Sequence, residues 1–539
     1  MSTDLNTIRE IESIGLVVQK QGRTTYQFLN VPYAQPPIHD LRFKKPLTVR
    51  KWNGVYNATL YGPSCMQIRP DVFKQFLPNL NMSEDCLFLN IFVPNDLNIT
   101  SNKSVMIWVH GGGNVVGEAE MYDGSNLALA GDIIVVTINY RVGVFGFLTT
   151  GNKELPGNYG LWDQLLAIKW VKENILTFGG NPNSITLFGQ SAGSYDACTL
   201  LISPASEGLF QRVIGESGSC LRPAFIKRIG AETISKLART SGCPLPISNA
   251  TVTCLRQIPA GQLLNITNIK LKISEFGPTI DNDLLTDFPD RLLTNKLSKS
   301  YALFSSRDVL FGANSAEGGL NLTNLRHIPN INITSGIPTD VFCGEIVPEL
   351  IAKYFQSTNE TLINASCEFY RTKTLEAQAK NTINFIGDLK QITPLVQLLN
   401  YHSKTPRSTY QYLFSHQCSF FRIPVPPWYK GANHGDELAF VFGRIDMNPI
   451  VKPNDQVLAD LMMTYWTNFA KYGNPNGLSE PNKQTVLFWP SYQHNKAYMN
   501  FNYNSSVQHD VFKKRVDFWR SVWPTLQTKT PDPASDLFG

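Results

Sequence analysis

An apolar run at residues 105–109 ends in His110-Gly111-Gly112-Gly113, and a second, Ile133-Ile134-Val135-Val136-Thr137-Ile138, follows after a loop. β-Branched runs that do not alternate with polar residues suit strands covered on both faces, as in a parallel sheet. From Asp163 to Phe178 the pattern changes. Leu165, Ile168, Val171, Ile175 and Phe178 recur at intervals of three and four, with Leu166 and Trp170 widening the stripe. That spacing predicts a helix lying on a sheet. Gly179-Gly180-Asn181-Pro182 stops it and Ile185-Thr186-Leu187-Phe188 begins another strand, so the strand-helix-strand order predicts a right-handed crossover into one sheet.

Further strands are predicted at residues 307–313 and 409–414, each leading toward a polar residue of interest, and a helix at 455–472 that Gly473-Asn474-Pro475 ends. No internal repeat or low-complexity tract interrupts the chain. Its 539 residues would allow two or three domains, but no linker divides them, so a single domain over residues 1–539 is expected. Residues 529–539 contain Pro and Asp and predict a frayed end, without the apolar tail of a lipid anchor.

Composition narrows the partners. Hydrophobic residues at 42% and charged ones at 17% supply a buried core, and a net charge of +5 without any Lys/Arg run argues against nucleic acid. No apolar stretch is long enough to span a membrane, and Met1-Ser2-Thr3-Asp4-Leu5 lacks the core of a signal peptide. The chain is therefore read as cytosolic or as having lost a leader. Eleven N-x-[ST] sequons, against roughly six by chance, give modest support for glycosylation. Nine cysteines leave at least one outside any internal pair, and none has zinc-ligand spacing, so neither metal nor cofactor is expected. Cys65 with Cys86, and Cys243 with Cys254, lie close enough to clip local loops, the other reading being buried thiols.

The chemistry centres on Gly189-Gln190-Ser191-Ala192-Gly193, between the strand at 185–188 and a helical segment. Strand, sharp turn and helix is the context of a nucleophile elbow. A serine hydroxyl needs a base to take its proton and a third group to hold that base in the right tautomer. His434 stands in the Gly-bracketed loop Gly431-Ala432-Asn433-His434-Gly435-Asp436-Glu437, whereas His39, His327, His402, His416, His494 and His509 lack such a setting. Glu317 follows the strand ending at Ala313. The order serine, acid, histidine is that of an α/β-hydrolase triad. Backbone N–H groups of Gly112, Gly113 and Ala192 are assigned to the oxyanion that develops on the substrate carbonyl. A phosphate loop does not fit, because no Gly-Lys-[Ser/Thr] follows the glycines.

With these residues in place the chain resembles the type-B carboxylesterase and cholinesterase family. The stretch from Phe178 to Gly193 matches that family's serine signature, and Glu84-Asp85-Cys86-Leu87-Phe88-Leu89-Asn90 its second one. Val31-Pro32-Tyr33-Ala34-Gln35-Pro36-Pro37, Asn139-Tyr140-Arg141-Val142-Gly143 and His434-Gly435-Asp436-Glu437-Leu438 extend the likeness over nearly the whole chain. The resemblance implies an α/β-hydrolase fold with a large, mostly parallel central sheet flanked by helices. It implies Ser191 as nucleophile, His434 as general base and then acid, and Glu317 as the group that orients His434. It also implies disulfides Cys65–Cys86 and Cys243–Cys254, an Arg42–Glu84 pair, and a secreted or lumenal glycoprotein in mature form with an added or retained Met1.

Departures from the cholinesterase pattern bear on substrate. No Trp lies between Cys65 and Cys86 to hold a quaternary ammonium, and Gln190 replaces a glutamate that would attract a cation. Leu320 and Asn321 take two aromatic positions after the acid, and Ala224 that of a bulky acyl-pocket tryptophan. Choline esters are disfavoured. Gln190 is also the residue found in the GQSAG variant of juvenile hormone esterases. The third cholinesterase disulfide is missing, with Thr393 and Val516 near its positions. Cys198, Cys220, Cys343, Cys367 and Cys418 are left over, Cys343 with Cys367 being a candidate extra bridge.

The expected activity is hydrolysis of an uncharged carboxylic ester, a small molecule, through an acyl-enzyme. Two rivals are kept. One is an adhesion or storage protein that retains the fold without hydrolysis, which three retained triad residues disfavour. The other is a lipase, with Phe73, Phe76 and Leu77 forming an apolar flap. The physiological ester, chain-length preference and oligomeric state are not legible.

Overall fold

The computed structural model describes residues 13–20, 22–68, 81–151, 153–223, 226, 231–273, 276–328, 331–355, 358–418, 425–444, 453–478 and 486–522. Ala224, the flap residues Phe73, Phe76 and Leu77, and residues 529–539 lie outside the described residues.

Eleven strands form one sheet: β1 (Leu16–Lys20), β2 (Arg23–Pro32), β3 (Phe88–Pro94), β4 (Lys103–Val109), β5 (Ile134–Ile138), β6 (Gly180–Gln190), β7 (Arg212–Glu216), β8 (Asp308–Asn314), β9 (Thr409–Phe414), β10 (Ala497–Phe501) and β11 (Ser506–His509). Their spatial order is 1-2-3-5-4-6-7-8-9-10-11. The strands from β5 through β4 and on to β10 pair in parallel, while β1, β2 and β3 at one side and β11 at the other pair antiparallel. The sheet is thus mixed, with a parallel centre as expected.

Successive side chains of a strand point to opposite faces. In β4, Val105, Ile107 and Val109 enter one core with Ile185, Leu187, Val213 and Val309, while Met106 and Trp108 enter another with Phe188, Ile214 and Leu310. Helices cover both faces. Helix α1 (Tyr159–Asn174) puts Leu165, Ile168 and Val171 into the first core, and helix α3 (Pro453–Tyr472) puts Leu458, Met462, Trp466 and Phe469 into the second. A strand buried on both sides has no polar face to alternate with, which accounts for the unbroken apolar runs.

Two predicted elements differ in extent. The helix predicted from residue 163 begins at Tyr159 and its last turn, Ile175–Phe178, is a tighter 3-10 turn closed by Gly179 at φ 81°. The strand of residues 185–188 extends back to Gly180, with a register shift against β4 before Ile185. Pro182 cannot donate to the ladder, so the early part of β6 pairs loosely.

Candidate active site

Ser191 stands between β6 and helix α2 (Ala192–Ile202) at φ 55° and ψ −119°. This is left-handed backbone that a serine adopts only under constraint. Its N–H donates to Glu216 O at 2.8 Å, at the end of the neighbouring strand β7. The turn is tight enough to require the flanking glycines. A β-carbon on Gly193 would lie 2.0 Å from Val109 O, and one on Gly189 would lie 2.6 Å from the Gly193 carbonyl.

Glu317 follows β8, and His434 lies in the loop after β9. His434 Nδ1 and Glu317 Oε2 are 2.5 Å apart, with the two side chains 10% and 1% exposed. The other carboxylate oxygen of Glu317 accepts from Asn314 N–H at 2.7 Å. Asn314 also donates through its side chain to Asn433 O at 2.5 Å and to Glu437 Oε2, which pins the histidine loop to the end of β8. With Nδ1 committed to the carboxylate, Nε2 is the atom left for proton transfer. Its partner is Gln190 Nε2 at 3.3 Å, and among the described residues no hydrogen bond joins it to Ser191. The structure therefore brings Glu317 to His434, and His434 to the residue just before Ser191.

Behind this cluster lie two more fully buried acids, Glu216 and Glu437, neither of which was assigned a role from sequence. Burial, and then the charge of Glu317, push the Glu437 carboxyl up, and burial followed by the charge of Glu437 does the same to Glu216. Trp466 Nε1 donates to Glu216 Oε1 at 2.8 Å, while Glu216 Oε2 and Glu437 Oε1 have no hydrogen-bond partner among the described residues. Hydrogen-bond support is concentrated on Glu317. Nothing in their local sequence distinguishes these acids from surface glutamates; only the sheet brings them together.

The loop after β4 carries Gly112 at φ 116° and Gly113 at φ 66°, left-handed backbone that glycine adopts without strain. His110 anchors it from inside, stacked on Tyr140 with ring centroids 4.2 Å apart, and burial lowers its imidazole pKa to about 4. Asn114 donates to Asp196 Oδ1 at 3.0 Å, and Gln164 of α1 to Asp196 Oδ2 at 2.7 Å. Asp196 thus ties the glycine loop to the nucleophile helix. Burial raises its carboxyl pKa to about 7. It was missed from sequence, because the burial of every residue of that helix is read only from the structure.

His416 makes a second buried histidine–carboxylate contact, with Asp455 at 2.8 Å, and His402 is held by Thr409 and Arg307 O. Neither lies at the elbow. Two small cavities, around Arg42 and Glu84 and around Glu118 and Asn139, are not lined by Ser191, Glu317 or His434. Among the described residues no group of three or more His, Cys, Asp or Glu side chains could hold a metal ion.

The cysteines pair as Cys65–Cys86, Cys198–Cys220, Cys243–Cys254 and Cys343–Cys367, and Cys418 is free and buried. Cys198–Cys220, unassigned from sequence, ties the nucleophile helix to the loop after β7. Arg42 grips Glu84 with Nε–Oε1 at 2.6 Å and a second bond at 2.5 Å, and holds Ile258 O at 2.6 Å.

Residues 13–519 match the profile of the carboxylesterase family. The chain belongs to that family. Carboxylesterase 5A of Mus musculus is 34% identical over 526 residues, covering 95% of this chain and 87% of the relative. The medium-chain fatty acyl-CoA hydrolase precursor of Anas platyrhynchos is 31% identical, covering 96% of this chain and 92% of its own. Pyrethroid hydrolase Ces2e of Rattus norvegicus is 33% identical, with 93% and 86% covered. These relatives are carboxylic-ester and acyl hydrolases by name rather than cholinesterases. The carboxylesterase family has the α/β-hydrolase fold, and the eleven-stranded sheet flanked by helices is that fold.

Proposed function

We propose that this carboxylesterase hydrolyses uncharged carboxylic esters through an acyl-enzyme on Ser191. His434 Nε2 takes the Ser191 proton as Oγ attacks the ester carbonyl, then returns it to the departing alcohol. Water repeats the sequence on the acyl-enzyme and releases the acid. Glu317 fixes the imidazole with Nδ1 protonated and stabilises the imidazolium that forms. The N–H groups of Gly112, Gly113 and Ala192 stabilise the oxyanion that develops on the carbonyl.

The observation that carries this reading is the 2.5 Å contact between Glu317 and His434, with His434 set against the elbow residue Gln190. Gln190 and the Trp-free Cys65 to Cys86 segment supply nothing that would attract a quaternary ammonium. The Ser191→Ala variant, assayed on 4-nitrophenyl butyrate, should lose turnover; unchanged turnover, or an aryl phosphonate adduct on a different serine, would refute the assignment. A panel graded by acyl length, with one acyl thioester and one choline ester, reads out specificity. Rates on the choline ester far below those on its neutral isostere are expected.

A secreted or lumenal location is part of the proposal. Four disulfides need an oxidising compartment to form and persist, and no helix among the described residues is long and apolar enough to cross a membrane.

A further inference from the structure

A neutral imidazole carrying its proton on Nδ1 has one in-plane lone pair, on Nε2, and that lone pair is what a serine hydroxyl must reach. In this structure it is occupied by another group. The Gln190 side chain, 5% exposed, has its Nε2 at 3.3 Å from His434 Nε2. The two ends of its amide face different loops. A β-carbon on Gly111 would lie 2.9 Å from Gln190 Oε1 and 2.8 Å from Gln190 O, so the oxygen end of the amide faces the glycine loop. A β-carbon on Gly435 would lie 3.7 Å from Gln190 Nε2, so the nitrogen end faces the histidine loop. Glycine at 111 leaves the room that the oxygen end fills, while the nitrogen end meets Gly435 at ordinary contact distance.

We propose that Gln190 is a positioning residue whose amide nitrogen donates to His434 Nε2 in the free enzyme, holding the ring as a neutral base and yielding it to Ser191 when an ester fills the site. An N–H donor facing Nε2 stabilises the neutral ring and opposes its protonation, whereas a carboxylate there would do the opposite. The other titratable groups around the ring are Glu317 from the end of β8, Asp436 and Glu437 on its own loop, and Glu216 behind them at the end of β7. The elbow itself contributes only the neutral Gln190 and Ser191. Among the described residues, Gln190 is the group whose N–H meets His434 Nε2.

This inference rests on His434 being the general base, which loss of phosphonate labelling at Ser191 in His434→Gln tests separately. The readout for Gln190 is the His434 titration itself, in full-length protein with isotope-labelled histidine and a Ser191→Ala background, assigned by loss of the signal in His434→Gln. Gln190→Glu, which keeps the shape, should raise the His434 pKa by about one unit or more, and Gln190→Ala should raise it by a smaller amount. With Ser191 present, the acid limb of kcat/KM should move to higher pH in the same order. A His434 pKa in Gln190→Ala equal to or below that of the parent would overturn the proposal, since the amide nitrogen would then contribute nothing at Nε2.

Discussion

Glu317 and His434 are 117 residues apart in the chain and meet at 2.5 Å between Oε2 and Nδ1. The carboxylate is almost wholly buried and held from behind by the Asn314 backbone. On the proposed mechanism it selects a tautomer as well as supplying charge.

Replacing it with Glu317→Gln keeps the shape but lets an amide N–H compete at Nδ1 and removes the stabilising charge. On the proposed mechanism kcat should fall by roughly 10³–10⁴ with KM changing little. Steady-state kinetics on a soluble 4-nitrophenyl ester checks this, alongside a thermal melt showing that the variant is folded.

Gly193→Ala should be more damaging to structure than its one added methyl group suggests. The new β-carbon would sit 2.0 Å from Val109 O, so β4 and the start of α2 must separate. A loss of about 3 kcal/mol or more is expected. The urea midpoint reports it, together with loss of phosphonate labelling at Ser191. Gly261→Ala, where the added atom meets nothing within 4 Å, is the control.

Asp196 predicts a pH dependence of stability. Its folded pKa, raised by burial to about 7, lies above the unfolded value, so the folded state holds the proton that the unfolded state has lost. The buried acid therefore costs progressively more stability as pH rises from about 4 to 7, and the cost is constant above that. Asp196→Asn removes this slope. Relative to the parent, the variant should gain about 2–4 kcal/mol between pH 4.5 and 7.5, measured as the difference in urea unfolding free energies. His110 and His402, both lowered to about 4, act with the opposite sign, so only the comparison between variant and parent isolates Asp196.

Eight of the nine cysteines are paired, and the Cys418 thiol is buried and pushed well up by that burial. An Ellman titration should find no reactive thiol in the native protein and one per chain in denaturant without reductant. Three thiols in denaturant would mean that one bridge is absent, and Cys198–Cys220 could then be examined by peptide mapping.

The proposed triad residues could be singled out in the sequence because each sits in a short segment whose glycines and polar residues are confined by a local turn. Ser191 is bracketed by Gly189 and Gly193, His434 by Gly431 and Gly435, and Glu317 is followed by two glycines. The β4, β5, β8 and β9 runs were legible for a different reason, since burial on both faces leaves mostly apolar residues along the strand. Asp196, Glu216 and Glu437 were not legible as a buried set, because a lone acid is written identically whether it ends in solvent or against Asn114 and Trp466. The same holds for Cys198 and Cys220, which read as two buried thiols until α2 is laid beside the loop after β7.

From sequence alone came the fold class, the order of the chemical groups along the chain and the expectation against cationic substrates, each drawn from local patterning, residue identity or the family resemblance. Which group occupies the free nitrogen of His434 was decided only by tertiary structure. Gln190 and His434 are 244 residues apart, and a hydrogen bond depends on tenths of an ångström that emerge only when β6 and the loop after β9 are packed at one end of the same sheet.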